Sequence, residues 1–260
     1  MVHLGIIPDG NRRWCKANNL EITKLIDHWL YGMLLKFIEE IIKESQYLDN
    51  QKKERINQNI KDITLQEIYY ESEKVESIKK EYRPLSDITE LSIYISSIDN
   101  MGRDDNSIDI GYEFIKRIDL MFNNVESLIG IKIDPKKLKI LLSKIKLNVI
   151  GDVEKIPEWV KNILNKYNNN NSQKYTINFA MAYDYIKDIS GNLQNNYIRN
   201  QSNIDIVFRS GGEMRLSGFF PTKVLYSELY FCKKMWPDIT LEDIKECINE
   251  YYRRNRRFGK

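Results

Sequence analysis

Six short runs rich in β-branched and aromatic residues constrain this chain more than any other feature. They are Leu4–Ile7, Leu91–Ile95, Leu147–Ile150, Thr176–Phe179, Ile206–Phe208 and Leu229–Phe231, with longer stretches at helical spacing between most of them. A helix between two strands returns the chain to lay the second strand alongside the first in the same direction. The expected fold is therefore α/β: a single domain over residues 1–260 with a largely parallel central sheet of about six strands flanked by helices.

Between the runs, Leu30, Met33, Leu34, Phe37, Ile38, Ile41 and Ile42 form one apolar helical stripe, and Ile110, Phe114, Ile118, Met121, Val125 and Leu128 form another. Both read as core packing, with one end of the first stripe also lining an apolar substrate channel. Asp134 and Pro135 read as an N-cap followed by proline at the first helical position. Thr240 with Asp243 resembles a capping box opening a final amphipathic helix. Residues 45–90 differ in character. They are rich in Lys, Glu, Asn and Gln, with only a weak stripe through Ile56, Ile60, Ile63 and Ile68, and read as a charged insertion outside the compact domain.

Composition narrows the function classes. Forty basic residues nearly balance 37 acidic ones for a net charge of +3, so any basic site must be local. The lysines of 136–146 and the arginines of 253–257 lack the interleaved aromatic platform that single-stranded nucleic acid needs, and no nucleic-acid partner is expected. Cys15, Cys232 and Cys247 form no CxxC pair, and with only two histidines a Cys/His zinc site is not expected; a reducing compartment and a hard, oxygen-ligated metal fit better. No apolar run approaches the roughly 18 residues of a membrane span, and residues 3–7 do not read as a signal peptide. A cytoplasmic protein with at most peripheral membrane contact is expected.

Three segments carry chemistry. The first run leads into Pro8-Asp9-Gly10-Asn11-Arg12-Arg13-Trp14, placing an acid, a flexible glycine, an amide and two guanidinium groups in a strand-to-helix turn, where open α/β sheets bind ligands. Asn11 and Arg13 suit a diphosphate, and Asp9 a magnesium ion bridging its oxygens; an ordinary Asp-Gly-Asn turn has the same composition. The second segment, residues 205–217, ends a run in a loop with Arg209, Gly211, Gly212, Glu213, Arg215 and Ser217. Planar arginine forks suit phosphate and the glycines allow close backbone approach. The third, residues 226–231, brings Glu228 into a strand.

Together these segments resemble the signature regions of the cis-prenyltransferase family, whose best-known members make undecaprenyl diphosphate and dehydrodolichyl diphosphate. The resemblance runs from His3 to Gly259, with the charged excursion as an insertion, and is strongest over Ile7–Trp14, Asp205–Ser217 and Tyr226–Pro237. It implies a Mg2+-dependent transferase that condenses an allylic diphosphate (dimethylallyl, geranyl or farnesyl) with isopentenyl diphosphate. Asp9 would ligate magnesium and promote diphosphate departure, with Gly10, Asn11, Arg12, Arg13 and Trp14 around the allylic substrate and His28 against a diphosphate. Arg209, Arg215 and Ser217 would hold isopentenyl diphosphate, and Glu213 and Glu228 would stand beside the metal. Residues 94–103 resemble the family's flexible loop, with Ser97, Asn100 and Arg103 in register and Asn100 assisting proton removal. Arg257-Phe258-Gly259 resembles the motif that reaches a partner subunit's site, which implies a homodimer.

The chain departs from the family pattern at Ser96 and Met101, where aromatics are usual, at Met214 in place of histidine, and at Asp184-Tyr185-Ile186 in place of a glycine pair and arginine. These departures leave two couplings open: regular cis elongation, and head-to-middle coupling of allylic diphosphates to a branched product. A non-catalytic partner subunit of the same fold is a third reading, weakened by the retention of Asp9, Arg13, Arg209, Arg215 and Ser217.

Overall fold

A computed structural model describes residues 2–22, 25, 85–101, 111–116, 119–120, 143–166, 175–192 and 202–257. Six strands form one sheet: β1 (Val2–Ile7), β2 (Ile88–Tyr94), β3 (Ile145–Ile150), β4 (Tyr175–Ala180), β5 (Ile206–Arg209) and β6 (Glu228–Phe231). Their order across the sheet is β3-β4-β2-β1-β5-β6, and every neighbouring pair is parallel. Helices among the described residues include α1 (Asn11–Ala17), α2 (Glu158–Lys166), α3 (Tyr185–Ile189) and α4 (Leu241–Arg253). The six expected runs match the six strands to within a few residues at each end.

All six residues of β1 are buried, as expected of a central parallel strand covered on both faces. The pleat divides them. Val2, Leu4 and Ile6 join Leu91, Ile93, Phe179 and Phe208 in the larger core, while Ile7 joins Val207, Tyr183, Phe219 and Phe220 on the other face. This second face also carries a buried polar row that no sequence pattern announced. Asn148 donates to Asn178 at 2.8 Å, Asn178 donates to Ser92 at 3.1 Å, and the His3 ring bonds both Ser92 at 2.8 Å and Ser202 at 2.9 Å.

Thr240 and Asp243 close the reciprocal capping box at the start of α4: the Thr240 N–H donates to the Asp243 carboxylate at 2.8 Å and the Asp243 N–H to the Thr240 hydroxyl at 3.4 Å. Ile244, Cys247 and Ile248 bury its apolar face. The charged insertion expected over about 45–90 overlaps β2 (Ile88–Tyr94) at its end, where Glu90 accepts hydrogen bonds from Asn178 and Ser202. Residues 45–84, the stripe of 30–42, most of the stripe of 110–128, and the Asp134–Pro135 cap lie outside the described residues.

β1 has β2 on one side and β5 on the other, so the chain's progress across the sheet reverses at β1. Crevices open at such switch points beyond the carboxyl ends of the strands. The loops following β1, β2 and β5 meet there.

Candidate active site

Those three loops enclose a cleft of about 650 Å³. Its polar side is made by Asp9, Asn11, Arg12, Arg13, Lys16, Ser97, Asn100, Arg209, Glu213, Arg215 and Ser217, and its apolar side by Ile7, Ile22, Leu25, Ile95 and Phe114. Five cationic side chains face two carboxylates on this lining, a balance that suits a polyanion beside an apolar chain.

The turn after β1 is shaped by Gly10, whose φ of 98° lies in the left-handed region, and an added Cβ would sit 2.9 Å from the Met235 side chain. This sharp turn aims Asp9 into the cleft. The Asp9 backbone is pinned by Ser210, whose hydroxyl accepts from the Asp9 N–H at 2.9 Å and donates to the Asp9 carbonyl at 2.8 Å, and by the Trp236 N–H at 2.9 Å on the same carbonyl. Gly211, at φ 83°, lets the loop after β5 lie against this turn, where a Cβ would meet the Arg13 guanidinium at 2.9 Å.

Charges alternate across the mouth. Arg209 donates to the Asp9 carboxylate at 2.8 Å and to the Ser217 hydroxyl at 3.0 Å, and it also reaches the Arg215 carbonyl. Arg13 lies 3.5 Å from Asp9 and 3.6 Å from Glu213, and donates to the Gly211 carbonyl at 2.9 Å. Arg215 pairs with the other Glu213 oxygen. Partial burial pushes the Asp9 carboxyl up, but the Arg209 hydrogen bond, the Gly10 N–H and the charges of Arg209 and Arg13 outweigh it and hold the group below the ordinary carboxyl value. Asp9 is therefore an anion at neutral pH, 30 % exposed toward the cleft. Arg209 is buried, and its Nε has no hydrogen-bond partner among the described residues.

Eleven of the residues expected at the site line this cleft: Asp9, Gly10, Asn11, Arg12, Arg13, Ser97, Asn100, Arg209, Glu213, Arg215 and Ser217. Two do not. Trp14 turns its indole N–H to Asp238 at 2.7 Å, and Glu228 stands at the amino end of β6, opposite the cleft, where it accepts from Arg254 at 2.9 Å. His28, Arg103 and Gly259 lie outside the described residues. Sequence reasoning missed Lys16, Tyr94 and Ser210, and it drew the apolar channel from the stripe of 30–42, which lies outside the described residues, rather than from Ile22, Leu25, Ile95 and Phe114. Lys16 was legible, three and four positions beyond Arg13 and Arg12 on the same face of α1. Ser96 is buried and accepts from the Ala182 N–H at 3.0 Å, and Asp184 caps α3 through the Ile186 and Lys187 N–H groups. Among the described residues no helix is long and apolar enough to cross a membrane, and no group of three or more His, Cys, Asp or Glu side chains could hold a metal by itself.

The sequence model described as putative undecaprenyl diphosphate synthase matches residues 70–259, most of the chain and two of the three cleft-forming loops. The chain belongs to the undecaprenyl diphosphate synthase family. An isoprenyl transferase of Rickettsia prowazekii (strain Madrid E) is 30% identical over 262 residues, covering 99% of this chain and 97% of the relative. The tritrans,polycis-undecaprenyl-diphosphate synthase (geranylgeranyl-diphosphate specific) of Sulfurisphaera tokodaii is 27% identical over 275 residues, 99% of this chain and 87% of that protein. The undecaprenyl diphosphate synthase fold is shared with two solved structures. Lavandulyl diphosphate synthase from Lavandula x intermedia, in complex with dimethylallyl diphosphate, aligns with a TM-score of 0.60 at 18% identity, covering 99% of this chain and 98% of that one. A probable undecaprenyl diphosphate synthase from Campylobacter jejuni aligns with a TM-score of 0.55 at 20% identity, over the same shares of the two chains.

Proposed function

We propose that the protein is a cis-prenyltransferase that condenses an allylic isoprenoid diphosphate with isopentenyl diphosphate and releases diphosphate. The observation that carries this reading is the two-sided cleft, in which Asp9, Arg12, Arg13, Arg209 and Arg215 line one side and Ile22, Leu25, Ile95 and Phe114 the other. A diphosphate fits the first and an isoprenoid tail the second.

Arg13 and the Asn11 side chain would receive the allylic diphosphate beside Asp9. Arg209, Arg215 and Ser217 would orient isopentenyl diphosphate so that its double bond faces the allylic C1. As the allylic C–O bond breaks, the guanidinium groups stabilise charge on the departing oxygens, and the apolar wall keeps water from the cation. The new C–C bond forms from the isopentenyl double bond, and Asn100, at the cleft beside Ser97, would assist loss of the proton that completes the product.

Asp9 fits a magnesium ion: it is an ionised, partly exposed carboxylate beside diphosphate-binding arginines, and magnesium is commonly held by one or two carboxylates with substrate phosphates completing the shell. Glu213, across Arg13, is the second carboxylate available. Bound there, magnesium would neutralise charge on the leaving diphosphate.

A homodimer is also proposed. It rests on the resemblance of Arg257-Phe258-Gly259 to a motif that reaches a partner subunit's site; the residues just before it are held by Arg254 to Glu228 and by Arg256 to Asp205, at the amino ends of β6 and β5. Mixing a tail-truncated chain with an Arg209→Ala chain would restore activity in a dimer and not in a monomer.

Product analysis by mass spectrometry and chromatography, with purified protein and magnesium, tests the activity. Linear cis products that require isopentenyl diphosphate are expected. Branched products from dimethylallyl diphosphate alone would replace this reading with head-to-middle coupling, and the absence of product under every pairing would point to a non-catalytic partner subunit.

A further inference from the structure

We infer that Tyr94 is a positioning residue whose hydroxyl ties the loop after β5 to the end of β2 and so holds Arg209 and Ser217 in the geometry that receives a diphosphate. This rests on the reading of residues 209–217 as a diphosphate site. Tyr94 is the last residue of β2 and lines the cleft, and its hydroxyl donates to the Ser217 carbonyl at 3.1 Å. Ser217 is gripped on both sides, because its own hydroxyl accepts from Arg209 at 3.0 Å. It also carries a φ of 51°, a left-handed backbone that a non-glycine residue keeps only where its surroundings impose it. Nothing in the side chain of serine favours that conformation, so the tether to Tyr94 is part of what imposes it.

The phenol is itself held in place. Its ring meets the buried Tyr183 edge-on with centroids 6.0 Å apart, and Phe219, two residues beyond Ser217, at 5.3 Å. Tyr183 is in turn fixed to the segment after Tyr94: its N–H donates to the Ser96 carbonyl at 3.0 Å and its carbonyl accepts from the Ile98 N–H at 2.9 Å. Tyr94 thus joins the loop bearing Ser97 and Asn100 to the loop bearing Arg209 and Ser217. Burial first, outweighing the Ser97 hydrogen bond and the charge of Arg209, pushes its pKa up to about 12, so the hydroxyl stays protonated across the working pH range.

Tyr94→Phe keeps the ring and removes the tether. Calorimetric titration with isopentenyl diphosphate, without an allylic partner, is expected to show affinity about tenfold weaker. The kcat at saturation, the shape of its pH profile and the melting temperature should stay near those of the parent enzyme. In a Ser217→Ala background the same substitution should cost less than about twofold, because the hydroxyl that Tyr94 positions is already gone. Parent-like affinity in Tyr94→Phe, with Arg209→Ala weakened, would overturn the inference alone. Parent-like affinity in both variants would overturn the reading of the loop as a diphosphate site, and the inference with it. A fall in kcat with a displaced pH profile and unchanged affinity would make Tyr94 a proton-transfer group and overturn the positioning role.

Discussion

Asp9 and Arg209, 200 positions apart in the chain, meet at 2.8 Å, with the arginine side chain only 4 % exposed and the carboxylate 30 % exposed. A buried guanidinium needs a partner, and here that partner is the carboxylate proposed to act in catalysis. One contact therefore serves both stability and function, and substitutions of Asp9 separate the two. Asp9→Asn keeps an acceptor for Arg209 and should lower kcat by about 10²–10³-fold with little change in melting temperature. Asp9→Ala should lose activity to the same degree and also about 2–3 kcal/mol of stability, less than a wholly buried pair would lose because Asp9 is partly exposed. Steady-state kinetics and thermal denaturation on the two variants check both statements; near-normal turnover in either would defeat the role assigned to Asp9.

Gly10→Ala tests the turn that aims Asp9. The left-handed backbone and the approach to Met235 within 2.9 Å should make alanine destabilising by about 1–3 kcal/mol, and the displaced carboxylate should weaken turnover. A variant with the melting temperature and kcat of the parent would show that the turn tolerates a side chain.

His3 should give the fold an acid-sensitive limb. Burial, the largest influence, lowers its pKa from the ordinary 6.5 against the opposing pull of Glu90 and Asp205. Below pH 6.5 the unfolded chain then binds a proton that the folded chain refuses. The stabilisation is complete above that pH and is lost as pH falls toward the folded value, with a slope of at most about 1.4 kcal/mol per pH unit. Denaturant unfolding between pH 7.5 and 5 should show this slope in the parent and a flatter one in His3→Gln, whatever the absolute stability of the variant. Equal slopes would assign the acid limb to other groups.

Thr240→Ala removes the cap of α4 far from the cleft. A loss of about 0.5–2 kcal/mol is expected, a few degrees of melting temperature for a chain of this size, with kcat unchanged. Differential scanning calorimetry reads the first and the standard assay the second; a lowered kcat would mean that α4 shapes the site through the segment at Lys234, whose side chain pairs with Asp243 and whose carbonyl accepts from the Gly211 N–H.

Much of this was legible in the linear chain because it depends on near neighbours. β-branched runs separated by helical stripes determined six strands and their parallel arrangement, and Gly10, Gly211 and the arginines beside them marked the turns where an anion could approach backbone. Tertiary structure alone decided which charges face one another. The strand order brings the ends of β1, β2 and β5 together, so Asp9 meets Arg209 and Tyr94 meets Ser217, while the four-residue length of β6 leaves Glu228 at the far end of the sheet with Arg254. A residue's local pattern specifies the element it joins. Its partner depends on which strand ends lie side by side, and burial, by forbidding an unpaired charge, then selects the contacts that form.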